Sequence, residues 1–357
     1  MSLGYAIARR LTAPARARRH PLTVMPSAPG FITVPATEAT TRAGEWGVFL
    51  EGGDHLRVSG DPERNGRTVT WRVDGRRRPL PKGTRAAWSG IVAVDPASAG
   101  GTHVDHTVPT RGGDVPTWYF GGAPGGQHPR WAVHIFGLGS TRAGVLRSVD
   151  IASDEGMPSV VPAYRNTLEG PTVGSGRHHL GATEVDDVAD VLDALSVTGE
   201  ERFVLFGWSM GAQIALQLAA SAAWGSRIDS LVLDSPVLDW ASVLEANVAR
   251  ANLPPGLARL AIPWIEGRRR AQAVGLSSPV DLDRLNWVRH AGRITQPVLI
   301  HHGTRDDSVP LADSEIFAER APRARLIPSS GGHTTGWNTG RAPYIRSTAL
   351  FLRTSDV

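Results

Sequence analysis

The pentapeptide Gly207-Trp208-Ser209-Met210-Gly211 constrains this chain more than any other stretch. It follows the apolar run Phe203–Phe206, which reads as a strand, and precedes Met210–Ala223, which reads as a helix. A strand-to-helix reversal this tight forces strained dihedrals on the residue at the bend. The flanking glycines remove the side chains that would collide there. The bend lifts the Ser209 hydroxyl to the edge of a sheet, at a helix N-terminus whose dipole favours negative charge.

The surrounding chain supplies the sheet. Apolar or β-rich segments at Val115–Phe120, Trp131–Phe136, Ser159–Tyr164, Leu231–Asp234, Pro297–His301 and Ala324–Ile327 alternate with helical patterns, which marks an α/β fold with a mostly parallel sheet. The first helix is expected to open at Thr183, with Asp186 in a capping-box-like relation. Its apolar positions are Val185, Val188, Val191, Leu192 and Leu195, and a final helix is expected over Arg341–Leu352. Residues 236–296 carry only helical patterns, around Leu238–Val248, Leu257–Ile265 and Leu282–Val288, and read as a helical lid over the sheet edge. Upstream, residues 31–103 read as a small β-rich region with strands at Trp46–Leu50, Thr68–Val73 and Ile91–Val94. The Gly- and Pro-rich stretch 121–130 reads as a connector.

A serine hydroxyl needs a base to become a nucleophile. In a sheet of this kind the chain order is serine, acid, histidine. His333, in Ser330-Gly331-Gly332-His333-Thr334, follows the last strand in a glycine-rich loop and is the expected base. His301 and His302 close an earlier strand, His178 and His179 precede Ser209, and His290 lies in the lid. The acid must orient the imidazole and offset its charge. Asp306, three residues after Gly303, is the expected carboxylate; Asp307 and Asp234 are the rivals. An oxyanion hole needs two fixed N–H donors, expected from Met210 and from Leu138 in Phe136-Gly137-Leu138-Gly139. Arg142 stands where a dinucleotide fingerprint needs its third glycine, so that reading is rejected.

In these motifs the chain resembles the α/β-hydrolase family over about residues 104–357. The segments Tyr164-Arg165-Asn166, His179-Leu180-Gly181 and Gly207–Gly211 resemble a group of actinobacterial hydrolases near the lysophospholipase-like and prolyl-oligopeptidase-like branches. The resemblance implies a twisted eight-stranded sheet and a Ser–His–Asp triad without a cofactor, which falls on Ser209, Asp306 and His333. Two departures stand out: Phe136-Gly137 replaces the His-Gly found in many members, and Ala212 replaces a second glycine after the elbow.

Composition narrows the rest. The chain has 357 residues, no cysteine and a formal charge of +4. Disulfides, thiolate catalysis and cysteine–zinc sites are excluded, and the absence fits a reducing, cytoplasmic setting. No metal or cofactor is expected, the charge balance does not argue for nucleic acid, and no apolar run approaches the ~20 residues of a membrane span. Residues 1–30 read as a flexible basic tail, with a weak contact to an anionic membrane surface as its alternative use. Trp208, Phe136, Trp240 and Trp264 are expected to line a pocket for the apolar part of a small ester. A peptide substrate, or ligand binding without turnover, are the rival functions; oligomeric state is not legible.

Overall fold

A computed structural model describes residues 2–75, 78–123, 126 and 128–355. Three of the connector residues in 121–130 (124, 125 and 127) lie outside the described set.

The N-terminal unit begins with helix α1 (Leu3–Leu11), then strands β1 (Leu22–Thr23), β2 (Phe31–Pro35), β3 (Gly44–Leu50), β4 (His55–Gly60), β5 (Glu63–Asn65), β6 (Thr68–Arg72) and β7 (Arg85–Ser89). The strands form two small sheets, ordered β1-β7-β3-β4 and β2-β6-β5. Alternation puts Ile32, Val34, Trp46, Val48, Val58, Val69 and Trp71 into a core of their own. Two expectations fail here. Ile91–Val94 forms no strand; the strand is Arg85–Ser89, and Ser89 Oγ accepts from the Ile91 N–H as the chain turns away. The first thirty residues are not a free tail, since α1 is a capped helix with Ser2 Oγ accepting from the Tyr5 amide and with Gly4 and Ala8 buried. Tertiary packing makes a nine-residue helix stable where its sequence alone would not.

The main sheet has eight strands: β8 (Val104–Thr110), β9 (Gly113–Phe120), β10 (Arg130–Ile135), β11 (Ser159–Pro162), β12 (Arg202–Trp208), β13 (Ile228–Asp234), β14 (Val298–Gly303) and β15 (Ala324–Ser329). Their order is β15-β14-β13-β12-β10-β11-β9-β8. Only the β8–β9 and β9–β11 pairs are antiparallel. The central strands are buried along their length, which is why they read as unbroken apolar runs.

Helices α2 (Leu146–Asp154), α3 (Glu184–Leu195), α4 (Met210–Ala219), α9 (Leu311–Arg320), α10 (Gly336–Thr339) and α11 (Arg341–Thr354) belong to the α/β layers. The insertion between β13 and β14 holds α5 (Trp240–Arg250), a 3₁₀ segment Pro255–Ala261, α6 (Ile262–Glu266), α7 (Arg268–Val274) and α8 (Trp287–His290), and no strand. Helix α4 stops at Ala219, four residues short of the expected end. Thr183 precedes α3, but its hydroxyl makes no cap bond. The buried Glu184 carboxylate takes the amides of His179 and Gly181 instead.

His134 on β10 lies fully buried between Ser148 Oγ (2.8 Å from Nδ1) and Ser159 Oγ (3.0 Å from Nε2). Burial lowers its pKa from 6.5 to about 3. A histidine that stays neutral when folded but takes a proton when unfolded loses stability as pH falls below the unfolded value. Between pH 7 and pH 4 this residue is expected to cost on the order of 3 kcal/mol. Urea unfolding of wild type and His134→Gln at both pH values checks it: the variant's loss on acidification should be smaller by that amount.

Candidate active site

Ser209 sits between β12 and α4 with φ 52° and ψ −115°, a conformation rare for any residue but glycine. Its neighbours explain why the bend is possible. A Cβ on Gly207 would lie 2.6 Å from Ala212 Cα, and one on Gly211 would lie 2.1 Å from the Ile135 carbonyl oxygen. The Ser209 amide donates to Asp234 O on β13 (3.0 Å), which locks the bend to the neighbouring strand.

His333 reaches the serine from the loop after β15. Its Nδ1–H donates to Asp306 Oδ2 (2.8 Å), so Nε2 is left to accept from the Ser209 hydroxyl at 3.0 Å. Asp306 Oδ1 accepts the amides of Ser308 and Val309, both at 2.9 Å. Burial alone would push the Asp306 carboxyl up. Contacts with His302 and His333 and the Val309 amide outweigh it and hold the carboxyl well below the usual range. The two rival acids are engaged elsewhere. Asp307 is exposed and meets Arg250 at 3.3 Å, while Asp234 is buried and accepts from Tyr344 Oη at 3.2 Å.

The rival histidines are also placed away from the serine. His301 stacks on Tyr344, ring centroids 3.9 Å apart, and bonds to Thr348 Oγ1. His179 meets Ser277, His178 lies buried near Glu184, and His290 bonds to Asp283 O. His302 has a different place. Its Nε2 lies 3.3 Å from Asp306 Oδ2 and its Nδ1 accepts from Ser314, so a second imidazole steadies the same carboxylate.

The amides of Met210 and Leu138 donate to no group among the described residues. The Leu138 loop runs against Ser209: a Cβ on Gly137 would lie 2.9 Å from Ser209 Cβ. Phe136, where a histidine was the commoner residue, stacks on Tyr164 at 4.6 Å, and Tyr164 Oη donates to the Phe136 carbonyl.

Sequence reasoning missed what holds the histidine loop. Thr334 has φ 52°; its amide donates to Ser235 Oγ, and its carbonyl accepts from Arg147 Nη2 (2.6 Å). Arg147 also donates to Asn338 Oδ1 and Gly90 O. No local pattern marks these residues, which lie far apart in the chain.

Two cavities meet at Ser209 and His333. The larger, about 620 Å³, is mainly apolar, with Ile7, Leu11, Val237, Trp240, Val248 and Val309 in its walls. The smaller, about 250 Å³, has Arg18, Gly90, Phe136, Arg147, Trp208 and Thr334 in its walls. Of the four expected pocket residues, Trp240, Phe136 and Trp208 line one cavity or the other. Trp264 lines neither; its ring packs edge-to-face on Tyr5, centroids 5.1 Å apart. Among the described residues no group of His, Asp and Glu is placed to hold a metal ion.

This arrangement of sheet, elbow and loops agrees with what comparison finds. The family model described as "alpha/beta hydrolase fold" matches residues 170–279. The chain has the α/β-hydrolase fold. Two crystal forms of an esterase, Pf2001 of Pyrococcus furiosus, superpose on this chain with TM-scores of 0.56 and 0.55. They are 18% and 17% identical to it and cover 73% of it, and 94% and 96% of their own chains. A membrane phospholipase A, described as a bacterial virulence factor, gives 0.51 at 18% identity, over 71% of this chain and 87% of its own. At such identities the likeness is one of fold. An uncharacterised protein of Bacillus subtilis, YqkD, is 27% identical over 180 residues, 48% of this chain and 55% of its own, so the match spans about half of that relative. A second family model, a domain of unknown function (DUF8805), matches residues 23–89, the β-rich unit.

Proposed function

We propose that this α/β hydrolase is a serine carboxylic-ester hydrolase that forms an acyl-enzyme on Ser209. The observation that carries the reading is the continuous line Asp306–His333–Ser209, with contacts of 2.8 and 3.0 Å. His333 Nε2 takes the hydroxyl proton as Ser209 Oγ attacks the ester carbonyl. Charge moves to the carbonyl oxygen, where the free amides of Met210 and Leu138 would receive it. The tetrahedral adduct collapses, the C–O bond to the alcohol breaks, and His333 returns the proton to the leaving oxygen. Water then enters and gives a proton to His333 as its oxygen attacks the acyl carbon; the bond to Ser209 Oγ breaks, His333 returns the proton to that oxygen, and the acid leaves. Asp306 keeps the imidazole in the tautomer this cycle needs.

The larger cavity supports an ester with an apolar acyl group, and the helical insertion serves as its lid. If Val248 and Val309 line the acyl chain, Val248→Trp fills that space. Its kcat/KM for p-nitrophenyl octanoate should fall about 10-fold or more while the acetate ester changes by less than about threefold. Kinetics across a chain-length series, with an aminoacyl-amide in parallel, test the proposal. Faster turnover of the amide would favour a peptidase, and no turnover of any ester would reject the reading.

A further inference from the structure

Helix α1 gives the protein a second surface of note. It is fixed on the insertion: a Cβ on Gly4 would lie 2.0 Å from the Leu260 carbonyl oxygen, and Arg177 Nη1 donates to Arg9 O (2.8 Å). Four side chains from α1, α6 and α7 then form a row. Arg9 lies 5.7 Å from the Tyr5 ring and donates to its hydroxyl; Tyr5 meets Trp264 at 5.1 Å; Arg270 lies 5.7 Å from the Trp264 ring. Leu3 and Leu260, 43% and 49% exposed, flank the Gly4 contact.

The charge around this row is mostly positive. Arg9 and Arg10 close α1 and are both exposed, and no Asp or Glu precedes Glu38. Arg268, Arg269 and Arg270 on α7 are exposed and make no ion pair. Of the nearby carboxylates, Glu245 is engaged by Arg259 at 3.1 Å, and Glu266 accepts the Leu282 amide.

We infer that this face docks on an anionic lipid surface. Arginines supply attraction to acidic headgroups, Tyr5 and Trp264 have the half-apolar, half-polar character that suits the headgroup layer, and the two leucines reach beyond it. A soluble polyanion would use the arginines and leave the leucines without a role. The face adjoins the apolar cavity, because Ile7, Arg10 and Leu11 of the same helix line it. Delivery of a lipid-borne ester to Ser209 rests on the esterase reading; docking itself does not.

The test uses full-length Ser209→Ala, so that binding is read without turnover. Flotation with vesicles of phosphatidylcholine alone, and with roughly one-third phosphatidylglycerol, should show about 100-fold or more greater binding to the anionic ones, weakened by salt. Reversing charge in R268E/R269E/R270E should lower it at least about 100-fold, counting roughly fivefold for each of the three cations lost. L3S/L260S, which removes apolar reach without adding charge, should sharply weaken vesicle binding yet leave heparin binding intact, and the unfolding midpoint confirms that each variant folds. In the Ser209 background both variants should still hydrolyse a soluble short ester. Absent binding, indifference to lipid charge, or binding unchanged by either variant overturns the inference. Heparin binding as strong as vesicle binding, with the leucines immaterial, would point to a polyanion instead.

Discussion

Replacing Ser209 by alanine is expected to lower kcat for a short p-nitrophenyl ester by about 10⁴- to 10⁶-fold, with KM changed less than about threefold. The hydroxyl is the only group in the line Asp306–His333–Ser209 that can form the covalent bond, and the cavities do not depend on it for their shape. Ser209→Gly should be as inactive yet more stable than Ser209→Ala. The serine is held at φ 52°, ψ −115°, which costs a residue with a Cβ about 1–3 kcal/mol. Alanine keeps that strain and glycine relieves it. Thermal unfolding should place the glycine variant a few degrees above the alanine variant. The reverse order would show that the bend is not strained.

The second large effect separates two adjacent carboxylates. Asp306→Asn should lower kcat about 10⁴-fold, and Asp307→Asn less than about threefold. Asparagine is nearly the same size, so the loop persists, but its amide can donate to His333 Nδ1. The imidazole proton then moves to Nε2, which no longer accepts from Ser209. Asp307 has only exposed contacts, with Arg250 and the Ser308 hydroxyl, to lose. Because Asp306 is held well below the usual carboxylate range, its protonation should not shape the pH–rate profile above about pH 4. Equal losses in the two variants would place the acid elsewhere.

What could be read in advance follows from how local each constraint is. The elbow was legible because its glycines leave no room for a Cβ and the strand and helix touch it directly. His333 and Asp306 were legible because chain order and glycine spacing put them at neighbouring strand ends. Choosing Asp306 over Asp307 rested on spacing alone, and two backbone amides on Oδ1 are the physical reason it is the one turned inward. Helix α1 was not legible. It is short and runs straight into Arg9 and Arg10, and what stabilises it is contact with a segment more than 240 residues away. Trp264 shows the same limit: its size marked it for a pocket, but only packing reveals that Tyr5 covers it. The Arg147 clamp on the Thr334 carbonyl joins residues 187 positions apart and leaves no local trace.

The central claim is that one serine oxygen is activated by the imidazole of His333. Reaction of the purified protein with a fluorophosphonate, followed by peptide mapping, addresses it most directly. The account predicts one stoichiometric adduct on the peptide that contains Ser209, lost in Ser209→Ala and slowed at least about 100-fold in His333→Ala. Modification at a different serine, or wild-type protein that stays unlabelled, would contradict it.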